Sequence, residues 1–515
     1  MAENTTKHHS PVRPDTLLAS VTVLLIVNLV QRSIGFGRGL LFGRWLDPDS
    51  LGQWDMAYCF LLLAAPVAVL GLPGSFGRYL ERFRRRGQLG TFLKRTTLGT
   101  VSCAAIAFLV LVIGRREFAY RVFGDASQQY LMLLVACVLV AVILHHFLEA
   151  VFAGLRVFRI VSAMQFAQSM LFAAISLVLL VTWRCDAWSI VTGYGVACLL
   201  SAIGVLLWSR RRNWSTEPAT AAESHRAFWP PLMQFAVWVW VTNLLSNLFS
   251  VIDRYMLVHY SGLSADESLA LVGNYHASLM VPMILVSVAN LLVGAMTPHL
   301  SHDWEVGDRR SVSHRLNLTL KLGFLGMFAT GIGVLSFTPT LFHVAFEGKY
   351  DAGLFVLPWT LISCVWFSML LISQTYVWCA EKTRHATLPL AIGLGGNIIL
   401  NLLLLPRLGL QGAVMATALS TLLALLTQLL VNHRLGMQLD RGTLMLVAIP
   451  FALSQGLSTA IPWGGLITLA VVATPWVFTS RERSEIFNLV RERAGRWIPG
   501  IKPNLAGEGY SIDGR

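Results

Sequence analysis

Apolar residues fill this chain in long runs separated by short polar breaks. Windows long enough to span a bilayer as helix occur near 17–45, 51–77, 96–114, 129–153, 158–182, 187–209, 228–258, 269–298, 314–342, 353–380, 385–405, 409–432, 442–460 and 463–480. A helix rises ~1.5 Å per residue, so about twenty apolar residues cross the hydrocarbon core. The pattern predicts an all-α polytopic membrane protein of about fourteen transmembrane helices. The longest internal polar break, about 210–227, ends before Trp229-Pro230-Pro231 and reads as a linker. It divides the chain into an N-terminal six-helix lobe (1–227) and a C-terminal six-helix lobe (228–440), pseudo-symmetric with each other. Residues 441–515 then supply an extra helix pair and a tail. Between Arg481 and Trp497 the tail mixes Ile486, Phe487 and Val490 with arginines and glutamates. An interfacial helix and a solvated tail fit that pattern equally.

Composition agrees. The 515 residues are 55% hydrophobic and 13% charged, with a mean hydropathy of +0.62, which no soluble domain of this size matches. Lys7 and Arg13 before an apolar run resemble a signal-peptide start. The apolar stretch continues to about Leu46 without a small-residue cleavage site, so a retained helix is expected. The seven cysteines lie almost wholly in apolar spans without metal or CxxC spacing, so neither a disulfide framework nor a metal site is indicated. No Walker A sequence occurs, and no cofactor is expected.

The net charge of +13 raises the question of nucleic acid, and the placement of the charges answers it. With fourteen spans and both termini cytoplasmic, 29 of the 40 Lys and Arg fall in the N-tail, inner loops and C-tail, and seven fall in outer loops. The other four (Arg32, Arg38, Arg254 and Lys321) lie within spans. One missed helix would invert every later loop, so such a bias supports the count. The basic residues mark topology in a bacterial inner (plasma) membrane, with attraction to anionic membrane lipids, and no nucleic-acid partner is expected.

The first span carries the informative exception. Stepping about 100° per residue from Asn28, the residues Gln31, Arg32, Gly35, Arg38 and Gly39 share an arc of about 120°. An arginine at bilayer depth costs roughly 2.5–3.5 kcal/mol even on the lenient insertion scale, so two on one stripe should face water or an anion. The seventh span repeats the stripe 215 positions later as Asn243, Ser246, Asn247, Ser250, Asp253 and Arg254. Leu51-Gly52-Gln53-Trp54-Asp55 similarly resembles Val272-Gly273-Asn274-Tyr275-His276, and 26 residues lead from each glycine to Arg78 and to His299. Two facing repeats around a central cavity are a common transporter plan.

Arg32, Arg38, Arg254 and Arg78 are thus candidate anion ligands, because guanidinium forks match phosphate oxygens. Asn28, Gln31, Asn243 and Asn247 are candidate hydrogen-bonding partners, and Asp55, Asp253 and His276 are candidates for ion coupling. Each has a plainer reading. The arginines can pair with acids or snorkel, Arg254 can be neutralised by Asp253, Asp55 can form a structural salt bridge, and Arg78 borders a basic topology anchor. A lone histidine such as His276 or His299 is more often structural. His145, His146 and Glu149 have helical spacing, but no second cluster completes a metal shell. Lys321 reads as a helix-end residue. Gly393 to Gly396 reads as a close helix contact.

Several segments together resemble the polysaccharide-transporter branch, the Wzx-type flippases, of the multidrug/oligosaccharidyl-lipid/polysaccharide superfamily. They are Ser33-Ile34-Gly35-Phe36-Gly37-Arg38, Leu51-Gly52-Gln53-Trp54, Ile252-Asp253-Arg254-Tyr255-Met256-Leu257, Val272-Gly273-Asn274-Tyr275, and Asn397 to Asn401 followed by Leu410-Gln411-Gly412-Ala413. The resemblance implies two six-helix lobes, an added helix pair, and alternating access moving a lipid pyrophosphate-linked glycan outward. The first span is also similar to that of the MurJ family of lipid II flippases, which implies roles for Arg32, Arg38 and Arg78 in a cationic cavity. It also sets Asp55 near an acidic counterpart.

These readings converge on a flippase for an anionic lipid-linked oligosaccharide of the polyprenyl pyrophosphate type, serving polysaccharide or O-antigen synthesis. Polysaccharide-assembly proteins are further expected partners. A lipid II flippase stays open as an alternative. A drug antiporter would need an acidic cavity. A membrane-embedded glycan polymerase or ligase would need a large outer loop, whereas the outer loops here reach about fifteen residues at most. No catalytic residue is expected.

Overall fold

The computed structural model describes residues 17–211, 225–382, 384–480 and 482–487; the 212–224 linker and the tail beyond 487 lie outside the described residues. Among these, the chain forms α-helices, short 3₁₀ turns and connections, with no strand. The helices are α1 (Leu17–Trp45), α2 (Pro48–Ala68), α3 (Phe76–Arg85), α4 (Leu89–Ile113), α5 (Arg115–Phe123), α6 (Gln129–Gly154), α7 (Phe158–Thr182) and α8 (Ala187–Arg210). The second half holds α9 (His225–Tyr260), α10 (Ala265–Leu279), α11 (Met283–Glu305), α12 (Arg309–Phe346), α13 (Asp351–Cys379), α14 (Arg384–Arg434), α15 (Arg441–Leu446) and α16 (Leu457–Ala473).

Nine of the described helices are long and apolar enough to cross a membrane. One of them, α14, bends at Gly409, whose φ of 56° and ψ of −135° leave the helical region, so its two arms are two predicted spans. Long helices α1 and α9 coincide with the first and seventh predicted spans. Two shorter apolar segments, Arg441–Leu453 and Leu457–Val471, stand where the last two were expected. Taken together, these account for the predicted fourteen.

Three windows and one connection hold more structure than their hydropathy implied. The second breaks after α2 into a 3₁₀ turn at Leu72–Ser75 and then α3. The eighth breaks at Met280–Pro282 into α10 and α11. The thirteenth is α15 followed by a 3₁₀ turn at Ile449–Leu453. Pro73, Pro282 and Pro450 lie at these breaks, where a missing N–H interrupts the helical ladder. The connection at 115–123, expected as an outer loop, coils into α5, supported by a Glu117–Arg121 pair at 2.8 Å one turn apart. A full capping box between Ser264 and Glu267 starts α10. Its hydrogen bonds from the Ser264 hydroxyl and backbone N–H hold the Glu267 carboxyl below its ordinary range.

Among the described residues, packing makes three large cores and one small cluster at Val377, Ala386 and Val431. One lies at the basic-loop end of the first half around Phe76, Phe92 and Phe147, and takes in Leu232 from the start of α9. A second, confined to the second half, surrounds Trp366, whose indole N–H donates to the Val447 carbonyl at 2.9 Å. The third joins the halves, bringing Leu51, Trp54 and Val135 together with Val272, Tyr275, Phe346 and Ala413. Its centre is the crossing of α2 on α10. A Cβ on Gly52 would strike the Leu269 carbonyl oxygen, and one on Gly273 would strike the Pro48 carbonyl oxygen. Both contacts are related by the offset of 221 that also relates the two glycine motifs. Only glycine permits this backbone approach.

Candidate functional site

The site builds outward from the α2–α10 crossing. One turn beyond Gly52, Asp55 is buried and faces the second half. Arg254 of α9 donates from Nε to Asp55 Oδ2 at 2.7 Å, and His276 Nδ1 of α10 lies 2.7 Å from Asp55 Oδ1. Asp55 and His276 are the repeat-related pair, so the two motifs meet each other. Arg254 also donates to Asp253 Oδ1 at 3.3 Å and to the Ser250 carbonyl at 2.7 Å. Its guanidinium lies 5.0 Å from the Tyr275 ring. Beyond it, Thr417 donates to Asp253 Oδ2 at 3.1 Å, Asn397 donates to Thr417 at 3.3 Å, and Asn401 donates to Asn397 Oδ1 at 2.9 Å. A continuous polar string thus runs through α10, α2, α9 and both arms of α14.

Such a string inside a membrane protein is held by its own satisfaction. An unpaired buried charge costs several kcal/mol, whereas each of these acids has two or more partners. The side away from the basic loops is pinned further. Arg44 pairs with Glu347 at 3.1 Å and Lys349 with Asp47 at 3.4 Å. The Tyr350 hydroxyl donates to the Leu46 carbonyl at 3.1 Å. His259 Nε2 lies 2.8 Å from the Arg121 carbonyl, and Phe346 packs on Gly43. The halves are therefore closed on this side.

Toward the basic loops, α1 parts from the second half. Gly39 still has Met280 in front of it, but Gly35, about 40° around the helix from Gly39, has no neighbour within 4 Å of a would-be Cβ. At 100° per residue, Arg32 falls about 20° from Gly39 around the helix, hence on the face turned toward the second half. It is exposed there. Arg38 sits on a different face, over the Phe172 ring at 4.0 Å and near Phe42 at 5.9 Å. Among the described residues neither Arg32 nor Arg38 has a hydrogen bond or an ion pair. They differ in this from Arg254, which was expected to hold an anion and here is held by two carboxylates.

The other candidates divide in the same way. Asn247 donates to the Leu62 carbonyl of α2 at 3.2 Å, across the halves. Asn243, one turn nearer the basic loops, is exposed, and Gln31 is half-buried. The side chains of Asn28 and Arg78 lie outside the described residues. His299 is exposed. His146 Nδ1 lies 3.2 Å from Glu149, which also accepts from Gln165. Among the described residues no group of three metal-ligating side chains converges.

Several participants escaped sequence reasoning. Thr417 is an ordinary threonine in an apolar run, and nothing local marks it as the partner of Asp253. Trp54, Tyr58, Phe172 and Tyr194 form an aromatic wall beside Arg38, with ring centroids 5.1–6.0 Å apart. The four-residue spacing of Trp54 and Tyr58 was the available signal. Lys321 is the clearest correction. Expected at a helix end, it lies inside α12, fully buried and bonded to Asp440 and Glu482. Those acids are distant in sequence, so no local pattern announces them.

Comparison with known proteins agrees with this architecture. A family model described as polysaccharide biosynthesis protein matches residues 17–304, which include Asp55, Arg254 and His276. The lipid II flippase MurJ of Bacillus subtilis (strain 168) is 21% identical over 444 residues, covering 80% of this chain and 81% of that protein. A solved lipid II flippase MurJ in an inward closed conformation superposes with a TM-score of 0.63 at 13% identity, covering 87% of this chain and 98% of that one. An inward-facing multidrug resistance MATE family transporter gives a TM-score of 0.58 at 13% identity, over 80% and 97%. These structures share the fold. The chain belongs to the polysaccharide biosynthesis protein family.

Proposed function

We propose that the protein is a flippase that carries an anionic, pyrophosphate-bearing lipid-linked oligosaccharide across the bacterial inner membrane for polysaccharide synthesis. The observation that carries this reading is the contrast between the span arginines. Arg254 is neutralised by Asp55 and Asp253, whereas Arg32, exposed, and Arg38, half-buried against Phe172, have no acidic partner among the described residues. A guanidinium left unpaired at bilayer depth is costly unless a ligand or water meets it, and a pyrophosphate supplies the matching charge and geometry.

The mechanism follows from which side is closed. With both termini and the basic loops cytoplasmic, the parted end of α1 opens to the cytoplasm, where such lipids are made. The pyrophosphate would meet Arg32 and then Arg38, with Gln31, Asn28 and Asn243 offering hydrogen bonds, while the prenyl chain stays in lipid. The two halves act as lobes. Opening outward requires the Asp55–Arg254–His276 contacts to break, so that Arg254 becomes free as the far side opens. A proton or cation that takes over Asp55 would favour that opening, which assigns Asp55, Asp253 and His276 to gating and coupling. No catalytic group is needed, and assembly proteins would receive the cargo outside.

A lipid II cargo is the second reading, favoured by the likeness to the B. subtilis flippase. Drug–cation exchange is disfavoured because Asp55 and Asp253, the buried acids of this site, are already paired with Arg254. Binding by the purified full-length protein separates a prenyl pyrophosphate cargo of either kind from drug exchange. We expect a short-chain prenyl pyrophosphate to bind and be weakened about tenfold or more by Arg38→Ala, the loss of one charge-assisted contact. Binding of ethidium without binding of prenyl pyrophosphate would overturn the proposal.

A further inference from the structure

We propose that Tyr58 and Tyr194 form a saccharide-stacking platform beside Arg38, so that the first sugar of the cargo is held on the first half of the molecule. This inference rests on the flippase reading above and names the subsite that its glycan occupies.

The wall around Arg38 is made by four helices. Trp54 and Tyr58 come from α2, Phe172 from α7, Tyr194 from α8 and Phe42 from α1 itself. These rings are not equivalent. Trp54 is buried in the joint core, and the face of Phe172 is covered by the Arg38 guanidinium at 4.0 Å. Tyr58 is different, because 40% of its surface is open. Its ring thus stays accessible on the wall that Arg38 shares. Its hydroxyl has no hydrogen-bond partner among the described residues. Tyr194, half-buried, stands 6.0 Å from Tyr58 with the ring planes at 75°, so the two phenols form a corner. Both lie within electrostatic reach of Arg38.

The chemistry of that corner fits a sugar ring. The negative face of an aromatic ring attracts the weakly positive C–H face of a pyranose, and a phenol hydroxyl exchanges hydrogen bonds with sugar hydroxyls. An aromatic corner alone would also suit an organic cation. Arg38 excludes that choice, because its fixed positive charge shares the wall and repels a second one. A neutral ring linked directly to an anion satisfies both features: phosphate on Arg38 and sugar on the tyrosines. The order along the molecule, prenyl, pyrophosphate, sugar, is the order of a lipid-linked glycan.

The test compares two probes on the full chain in detergent: farnesyl pyrophosphate, and farnesyl pyrophosphate carrying one N-acetylglucosamine. The measurement is the dissociation constant by thermophoresis for the parent, Tyr58→Leu, Tyr194→Leu and the ring-retaining Tyr58→Phe. A melting temperature for each variant reports on folding. We expect Tyr58→Leu and Tyr194→Leu to weaken the glycosylated probe about fivefold to tenfold while leaving the sugar-free probe within twofold, in proportion to the loss of one aromatic contact. Tyr58→Phe should keep most of the affinity. Equal weakening of both probes, or no weakening of either, would overturn the platform while leaving the anion site standing. Failure of the parent to bind either probe would overturn the flippase reading and the platform with it.

Discussion

A guanidinium in a membrane protein is defined by what lies opposite it, and the three functional candidates separate on that point. Arg254 has Asp55 and Asp253, Arg38 has aromatic faces, and Arg32 is exposed. Arg38→Lys is therefore not conservative. An ammonium neither stacks flat on Phe172 nor offers a bidentate fork. We expect it to lose most of the transport that Arg38→Ala loses, measured as initial flipping rate in proteoliposomes, and a fully active lysine variant would refute the stacked-fork role. Lys321 makes a separate prediction. Glu482→Gln removes one partner of a fully buried ammonium and should cost about 3–5 kcal/mol, read as a clear fall in melting temperature. An unchanged melt would mean that the Asp440 contact alone suffices. At this scale the sequence was readable where charge met depth. Arg32, Arg38, Arg254 and Asp55 all stood out because ionisable residues in apolar runs are conspicuous. Thr417, Tyr194 and the partners of Lys321 did not, since their roles depend on residues brought near only by folding.

Among the elements, α2 and α10 decide the architecture. Their crossing depends on two glycines, and the repeat between Gly52 and Gly273 was visible as a motif before its meaning was. The structure turns the motif into reciprocal contacts, each glycine lying under a carbonyl of the other helix. We expect Gly52→Ala and Gly273→Ala each to push α2 and α10 apart, at a cost of about 1–3 kcal/mol. Gly35→Ala, which faces open space, should be nearly silent in the same thermal melt. Equal effects at Gly35 and Gly52 would contradict the packing described here. Hydropathy located the long helices well because lipid-length apolar runs have few alternatives. It missed α3, α5 and the break between α10 and α11. Short helices at the membrane boundary and proline breaks leave the average hydropathy almost unchanged, so a window that finds spans does not resolve them.

Across the whole molecule, one side is bolted and the other is parted. Asp55 sits at the centre of the bolt, with Arg44–Glu347 and Lys349–Asp47 at its rim. Rim pairs are solvent-exposed and contribute little, whereas the buried cluster contributes most through the penalty for breaking it. Asp55→Asn should therefore favour the opposite arrangement of the halves. With exposed Cys137 and Cys185 replaced by serine, an Arg44→Cys/Glu347→Cys pair should cross-link readily in the parent and less completely in the Asp55→Asn background. Undiminished cross-linking would remove Asp55 from the bolt. The most direct test of the account is flipping itself. Proteoliposomes holding the parent, Arg32→Ala or Arg38→Ala would be given a fluorescent polyprenyl pyrophosphate-linked glycan and, in parallel, an uncharged prenyl glycoside. We predict that the parent flips only the pyrophosphate-linked lipid and that each arginine variant loses at least about tenfold in rate. Parental rates in both variants, or equal flipping of the uncharged lipid, would contradict the account.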